Sequence, residues 1–260
     1  MSDLAVEVGG SSSPSPVLEV EEVSKTYGHV VALDSVSMSL TEGEVTALVG
    51  DNGAGKSTLV SILSGVNQPD SGVIRLAGAP VRLDSARRAQ SLGIATVFQN
   101  LALVNRRDVA ANLHLGREPK RYGVIVDRRR MLHEAAEVIA RLEVGLPTVR
   151  AMVGDLSGGQ RQAVAVARAV LHGGRVVLFD EPTAALGIRE GRRVLDLIRA
   201  LRAQGQAILL VSHNIVSVFE LADRIVVLRH GRLVATVRTS ETTQDEIVSL
   251  IVGVQAARAS

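Results

Sequence analysis

The chain has 260 residues with 46% hydrophobic and 22% charged residues, ordinary values for one large globular domain or two small ones. It contains no cysteine, which excludes disulfides, thiolate metal sites and a cysteine nucleophile. Its formal charge is only +2 and its aromatic content 2%, too few aromatic residues for base-stacking platforms, so we expect no nucleic-acid partner.

Two further features narrow the classes of function that the chain can have. The run Arg128-Arg129-Arg130 is typical of a solvated helix face rather than of a nucleic-acid patch. No segment approaches the roughly 18 uninterrupted apolar residues that a membrane span needs. If the protein works at a membrane, we therefore expect another chain to cross it.

The first half of the chain predicts a tail followed by strands. Residues 1–16 are rich in Ser, Pro and Gly and have acids where a signal peptide would have Lys or Arg, which predicts a disordered tail. "SVSMSL" alternates as a half-buried antiparallel strand does, and "EVTALVG" is a continuous apolar strand that leads into the helix "GKSTLVSILSGV". "PDSGVIRLAGAPV" predicts a turn and a hairpin.

The second half alternates strands with helices. Between Gln99 and Leu156 the pattern is helical, and Asp127 is placed to cap one helix. The strands "RVVLFD", "AILLVS" and "RIVVLRHG" follow, separated by helices, one of which stops at Gly205. We predict an α/β fold with a parallel sheet over residues 17–252, an antiparallel β subdomain, a helical subdomain inserted at about 100–165, and a tail at 253–260.

The stretch "GDNGAGKST" satisfies the phosphate-loop pattern G-x-x-x-x-G-K-S/T between a strand and a helix. Its glycines let backbone N–H groups turn toward phosphate oxygens, and the helix directs its positive dipole end at the same anion. Lys56 is expected to reach the β and γ phosphates and Ser57 to offer a hydroxyl to Mg²⁺. The predicted nucleotide-binding residues are Gly50, Asp51, Asn52, Gly53, Ala54, Gly55, Lys56, Ser57 and Thr58.

Two carboxylates follow the apolar strand "RVVLF" at the sheet edge where ligands of open α/β sheets bind. We expect Asp180 to hold Mg²⁺ and Glu181 to orient and polarise the attacking water. A second glycine-rich loop, "LSGGQ", precedes another helical pattern, so Ser157, Gly158, Gly159 and Gln160 predict a second anion-binding helix N-terminus.

In the order "GDNGAGKST", "LSGGQRQ", "VVLFDEPTA" and "SHN", these motifs resemble the ATP-binding cassette of ABC transporters over nearly the whole chain. The resemblance implies a P-loop NTPase with a RecA-like core that binds ATP and Mg²⁺. It also implies that two cassettes stack head to tail, each ATP lying between one phosphate loop and the partner's "LSGGQ". Tyr27 then matches the adenine-stacking aromatic, Gln99 the Mg²⁺-contacting glutamine that relays to the membrane partner, and His213 the histidine that contacts the γ-phosphate.

One position departs from that family's pattern. Gly187 stands where the family usually has an aspartate that couples the two sites, and glycine cannot make that contact. "QNLAL", "ANLHLGRE" and "EPTAALG" resemble the cassettes of bacterial ribose, xylose and fructose importers, including this departure.

The resemblance implies an ATPase on the cytoplasmic side of the membrane that pairs with a second cassette. Its other partners would be permease chains and, indirectly, a periplasmic or extracellular solute-binding protein. Three alternatives stay open: a soluble cassette ATPase acting on ribosomes or DNA, an importer of another solute, and a nucleotide-binding regulator without turnover.

Overall fold

The computed structural model describes residues 16–184 and 186–253. The predicted tails lie outside the described residues, apart from Pro16 and Gly253 at their inner ends. The strands are β1 (Pro16–Tyr27), β2 (Val30–Thr41), β3 (Val45–Val49), β4 (Ser71–Leu76), β5 (Ala79–Val81), β6 (Ile94–Val97), β7 (Lys120–Arg121), β8 (Ile125–Val126), β9 (Val176–Asp180), β10 (Ala207–Val211), β11 (Arg224–Arg229) and β12 (Arg232–Arg238). The helices are α1 (Lys56–Leu63), α2 (Ala86–Ser91), α3 (Val109–Leu113), α4 (Arg128–Arg141), α5 (Gly158–Leu171), α6 (Ile188–Ala203), α7 (Ile215–Leu221) and α8 (Gln244–Val252).

The central sheet has the order β12-β11-β3-β10-β9-β6. Its strands pair in parallel except for β12, which runs antiparallel to β11. Every residue of β3 and β10 is buried, as expected for strands covered on both faces. The predicted parallel sheet is present.

A second sheet, of order β2-β1-β4-β5, is antiparallel throughout. Val36, Met38 and Leu40 of "SVSMSL" are buried, as the alternation predicted. These side chains belong to one hydrophobic cluster with α1 and one face of the central sheet. The other face of the central sheet packs on the helices of a second hydrophobic cluster, so the central sheet lies between two cores.

The helical part contains α3, α4 and the start of α5. Asp127 accepts a hydrogen bond from the N–H of Arg130 at 3.1 Å and caps α4 as predicted. The region also contains the hairpin of β7 and β8, which the helical pattern did not predict. Its turn includes Gly123 at φ +76°, and Tyr122 at the tip is 94% exposed. A two-stranded hairpin this short has no buried face to produce the alternation by which strands are recognised.

The topology brings three strand ends together. Val211 at the end of β10 pairs with Asp180 of β9 on one side and with Leu48 of β3 on the other. Because these strands are parallel, the segments that follow them leave the same edge of the sheet. The phosphate loop, the two carboxylates and His213 therefore lie at one edge.

Candidate functional site

The phosphate loop connects β3 to α1 through backbone conformations that favour glycine. Gly53 and Gly55 have φ of +78° and +107°. A Cβ added to Gly55 would lie 2.4 Å from the carbonyl oxygen of Ala32, and one added to Gly50 would lie 2.1 Å from that of Leu228. Neighbouring backbone therefore leaves no room for side chains at Gly50 and Gly55, and the loop stays tight enough for its N–H groups to face an anion.

Lys56, the first residue of α1, has its ammonium inside the loop. Its Nζ donates hydrogen bonds to the carbonyl oxygens of Gly50 at 2.8 Å and Asp51 at 2.9 Å. Partial burial lowers the pKa of Lys56, against the opposing effect of the Glu181, Asp51 and Asp180 carboxylates. The cation is thus held inside the loop by backbone carbonyls.

Asp180 ends β9 and is partly buried. Burial raises the pKa of its carboxyl group, and the neighbouring Glu181 raises it further, while Lys56 lowers it. A divalent cation would favour the ionised form of this carboxylate and relieve the repulsion between the two acids.

Glu181 has an uncommon backbone conformation for a residue with a side chain, with φ at +50°. Its N–H donates to the carbonyl oxygen of Val211 at 3.0 Å, which ties it to the end of β10. Its Oε2 lies 2.7 Å from Nδ1 of His213, a largely exposed side chain. The backbone and His213 therefore hold this carboxylate in one orientation at the sheet edge.

Ser57, Gln99 and Asp180 can each supply an oxygen ligand to a magnesium ion near this edge. Ser57 and Gln99 are exposed. Gln99 lines a cavity of about 380 Å³ that Glu181 and Gly158 also line. Within residues 16–184 and 186–253, no cluster of three or more His, Cys, Asp or Glu forms a ready metal cage. Hydroxyl, carboxylate and amide oxygens in this small number fit Mg²⁺, which takes few protein ligands and completes its shell with phosphates and water.

Tyr27 ends β1 and is 44% exposed. Asn67 donates its Nδ2 to the Tyr27 hydroxyl at 2.9 Å, and Lys25 places its Nζ 5.5 Å from the centre of the ring. The sequence predicted the ring but not the Asn67 contact, because Asn67 is 40 residues further along the chain. An exposed ring fixed by its hydroxyl offers a flat surface for stacking.

The "LSGGQ" loop begins α5 with a capping box. The Ser157 Oγ accepts from the Gln160 N–H at 3.3 Å, and the Gln160 Oε1 accepts from the Ser157 N–H at 3.0 Å. Gln160 also donates its Nε2 to the carbonyl oxygen of Gly145 at 2.9 Å, which ties the loop to the segment that follows α4. The predicted helix N-terminus is present.

The residues of the site fall into two groups. Lys56, Asp180, Glu181 and His213 form one cluster at the sheet edge. The "LSGGQ" loop lies with α5, which packs against α3, α4, α6 and β6, whereas α1 packs against β2 and β9. The loop also has a neighbour that the sequence did not indicate, the side chain of Glu190 from α6.

Comparison with known proteins identifies the class that this fold and site define. Residues 33–184 match the family model of the ABC transporter. The chain is 44% identical over 237 residues to a xylose/arabinose import ATP-binding protein of Sulfolobus acidocaldarius, covering 91% of this chain and 94% of that protein. It is 45% identical over 245 residues to a fructose import ATP-binding protein of Rhizobium meliloti, covering 92% and 94%.

A solved structure extends the comparison. The fold matches the dimeric structure of a post-hydrolysis state of an ATP-binding cassette bound to ADP and Pi, with a TM-score of 0.72 and 26% identity over 85% of this chain and 98% of that one. The chain belongs to the ABC transporter family. It is an ATP-binding cassette, a P-loop NTPase that hydrolyses ATP.

Across the two described stretches, no helix has both the length and the apolar character needed to cross a membrane.

Proposed function

We propose that the chain is the ATP-hydrolysing subunit of an importer for a monosaccharide. The observation that carries this proposal is the identity of 44% and 45%, over more than nine-tenths of the chain, to xylose/arabinose and fructose import ATP-binding proteins. The chain would act on separate permease subunits from the cytoplasmic side of the cell membrane, as a peripheral subunit. A solute-binding protein outside the membrane would deliver the sugar and would not touch this chain.

The catalytic work falls to the cluster at the sheet edge. Glu181 would polarise the attacking water; the 2.7 Å contact of its carboxylate with His213 and the hydrogen bond of its N–H to β10 support this role. Lys56 would exchange the carbonyl oxygens of Gly50 and Asp51 for phosphate oxygens. His213 would contact the γ-phosphate from its exposed side.

Ser57, Gln99 and Asp180 are the residues that would hold Mg²⁺. The ion would neutralise charge on the phosphates as the bond to the γ-phosphate breaks. The raised pKa of Asp180 supports this assignment, because the crowded carboxylates would gain from a nearby cation. Gln99 lines the same cavity as Glu181, which supports its place next to the catalytic cluster.

The "LSGGQ" loop would complete the nucleotide site of a second copy. Its N-terminal donors lie with α5 and α6, and the related cassette bound to ADP and Pi is dimeric. Two chains would pair head to tail, with Ser157, Gly158, Gly159 and Gln160 of each facing the phosphate loop of the other. Tyr27 would stack on the adenine.

The direct test reconstitutes the chain with its permease and solute-binding protein in lipid vesicles and measures ATP hydrolysis. We expect turnover to rise when the binding protein is loaded with a pentose or hexose, because the loaded protein signals through the permease. A Lys56→Ala complex is the background control. Stimulation by amino acids or peptides but by no sugar would refute the sugar assignment, and stable binding to vesicles without the permease would refute the peripheral assignment.

A further inference from the structure

The side chain of Glu190 lies across the start of α5. Glu190 is the third residue of α6, and its Cβ, Cγ and Cδ lie 3.0, 3.2 and 3.5 Å from the position that a Cβ on Gly159 would take. Its Oε2 lies 3.7 Å from the corresponding position on Gly158. The carboxylate is therefore placed at the N-terminus of the "LSGGQ" helix, over the two glycines.

The groups around the carboxylate are donors. The Ser157 hydroxyl and the backbone N–H groups of Gly159 and Gly187 are its polar neighbours, and their attraction for the ionised form lowers the pKa of the Glu190 carboxyl. Arg193, one turn further along α6, lowers it as well. Glu190 is thus an anion at neutral pH, bound at the positive end of α5.

These donors are the ones assigned above to the partner's ATP. A helix N-terminus with a serine hydroxyl and free N–H groups binds one anionic group well, whether carboxylate or phosphate. Two anions at the same few donors repel each other, and each has fewer hydrogen bonds. Glu190 and the γ-phosphate therefore compete for Ser157 and Gly159.

We propose that the Glu190 carboxylate occupies the "LSGGQ" loop as an internal substitute for the γ-phosphate, and that the partner's ATP displaces it when two cassettes close. This inference rests on the proposed head-to-tail dimer and adds to it a residue that sets the ATP concentration at which the dimer forms. ADP has no γ-phosphate with which to displace the carboxylate, so the contact also favours ATP over ADP as the trigger for closure.

The local structure permits this displacement. α6 begins at Ile188, and Gly187 before it has no side chain to cap the helix; the Gly187 N–H is one of the polar neighbours of Glu190. Glu190 is only half-buried, so its carboxylate can move without opening the core. Arg193 lies on the same face of α6 and offers the displaced carboxylate an opposite charge.

The test measures ATP-dependent dimerisation in a Glu181→Gln background, in which hydrolysis is blocked. Glu190→Gln keeps the shape of the side chain and its packing over Gly159 but removes the charge. We expect the ATP concentration for half-maximal dimer formation, measured by analytical ultracentrifugation, to fall about two- to fivefold, the effect of one charge at a helix terminus. ADP binding to the isolated chain should not change.

The matched control is Glu246→Gln. Glu246 is the third residue of α8 and caps that helix from the same position, with Thr243 as its capping-box partner. The Glu246→Gln substitution changes the net charge by the same amount as Glu190→Gln, at the same position in the first turn of a helix. We expect no shift in the ATP requirement, so a general effect of net charge would appear equally in both variants.

The sign of the shift decides the proposal. If Glu190 only supports the first turn of α6, Glu190→Gln and Glu190→Ala will need more ATP or the same amount, and either result overturns the displacement. A Glu190→Ala variant that melts near the parent temperature and dimerises at lower ATP supports it. If the Glu181→Gln parent forms no ATP-dependent dimer at all, the proposed dimer itself is wrong, and the displacement falls with it.

Discussion

Glu181 shows at the scale of a single residue how the fold orients a carboxylate. Its φ of +50° turns the chain away from β9 at the point where the carboxylate must face outward. The strain of such a conformation is about 1–3 kcal/mol, and it persists because the Val211 carbonyl and His213 hold both ends of the residue. Asp180 and Glu181 are neighbours in sequence but differ in backbone conformation, because only Asp180 ends a strand.

The first prediction concerns Glu181→Gln. The amide keeps the size of the side chain and removes the base, so ATP binding should persist while turnover falls by about 10²–10⁴-fold. The variant should accumulate as an ATP-bound dimer, measured by nucleotide retention on gel filtration. Glu137→Gln, an exposed position on α4, is the matched control and should hydrolyse ATP at the parental rate. Near-parental turnover in Glu181→Gln would show that another group is the base.

The sequence predicted Lys56 and Asp180 because each motif must stand next to a strand. Lys56 follows β3 at the end of the phosphate loop, and Asp180 ends β9. Both strands are continuous apolar runs in the sequence, as expected for strands that are buried in the fold. Partners that come from another part of the chain were not predictable. Asn67 reaches Tyr27, and Glu190 reaches Gly159, only because the fold brings separate elements together.

At the scale of elements, α3 and α5 meet through a pair of histidines at their C-terminal ends. His114 is buried, and its Nε2 lies 3.2 Å from the carbonyl oxygen of Met131. The Nε2 of His172 lies 2.9 Å from the carbonyl oxygen of Leu113. The two rings meet edge to face, with centroids 6.2 Å apart. Burial lowers the pKa of both histidines, although Glu134 acts in the opposite direction on His114.

Because both histidines have lowered pKa values, we predict that the free energy of unfolding falls in acid. Between the lowered pKa values and about 6.5, the unfolded chain binds more protons than the folded one, so the free energy of unfolding falls as the pH drops through that range. The slope is at most about 1.4 kcal/mol per pH unit for each histidine. We expect the double variant His114→Gln, His172→Gln to lose most of this slope between pH 7.5 and 5.5, measured by urea unfolding.

The control for this slope is His133→Gln. His133 lies on the same helical part of the molecule, but its side chain is 74% exposed, so replacing it removes no buried group. A pH slope unchanged in the double variant, or lost equally in His133→Gln, would contradict the assignment to the buried pair.

The elements themselves were predicted where packing leaves a pattern in sequence. Continuous apolar runs predicted β3, β9 and β10 because both faces of these strands are covered. β12 lies at the edge of the sheet with alternating partial burial and was not recognised as a strand. The β7–β8 hairpin was missed because its exposed apolar residues do not alternate with buried ones. Edge and surface strands depend on partners that a local window does not contain.

At the scale of the whole molecule, the two glycine-rich loops lie on different parts of the fold. The phosphate loop continues β3 at the sheet edge, whereas the "LSGGQ" loop begins α5 among the helices. In the proposed dimer, each chain would supply one half of each of two sites. Two variants, each with one loop disabled, can show whether the "LSGGQ" loop acts on the nucleotide of the partner chain or on that of its own chain.

Lys56→Ala should disable a chain's own phosphate loop, and Ser157→Ala should weaken the loop it offers to its partner. Losing one preorganised donor to the transferring group costs about 3–4 kcal/mol, so each variant alone should be nearly inactive. In a mixed dimer, the phosphate loop of the Ser157→Ala chain faces the intact "LSGGQ" of the Lys56→Ala chain. We therefore expect occlusion of one ATP per mixed dimer, measured with labelled nucleotide after tandem-tag purification. Occlusion is the better measurement than turnover, because Gly187 stands where the family resemblance implies a coupling aspartate, so a dimer with one good site need not cycle. If both loops acted on the nucleotide of their own chain, every site in the mixture would stay broken, and a verified mixed dimer that occludes no ATP would show that arrangement.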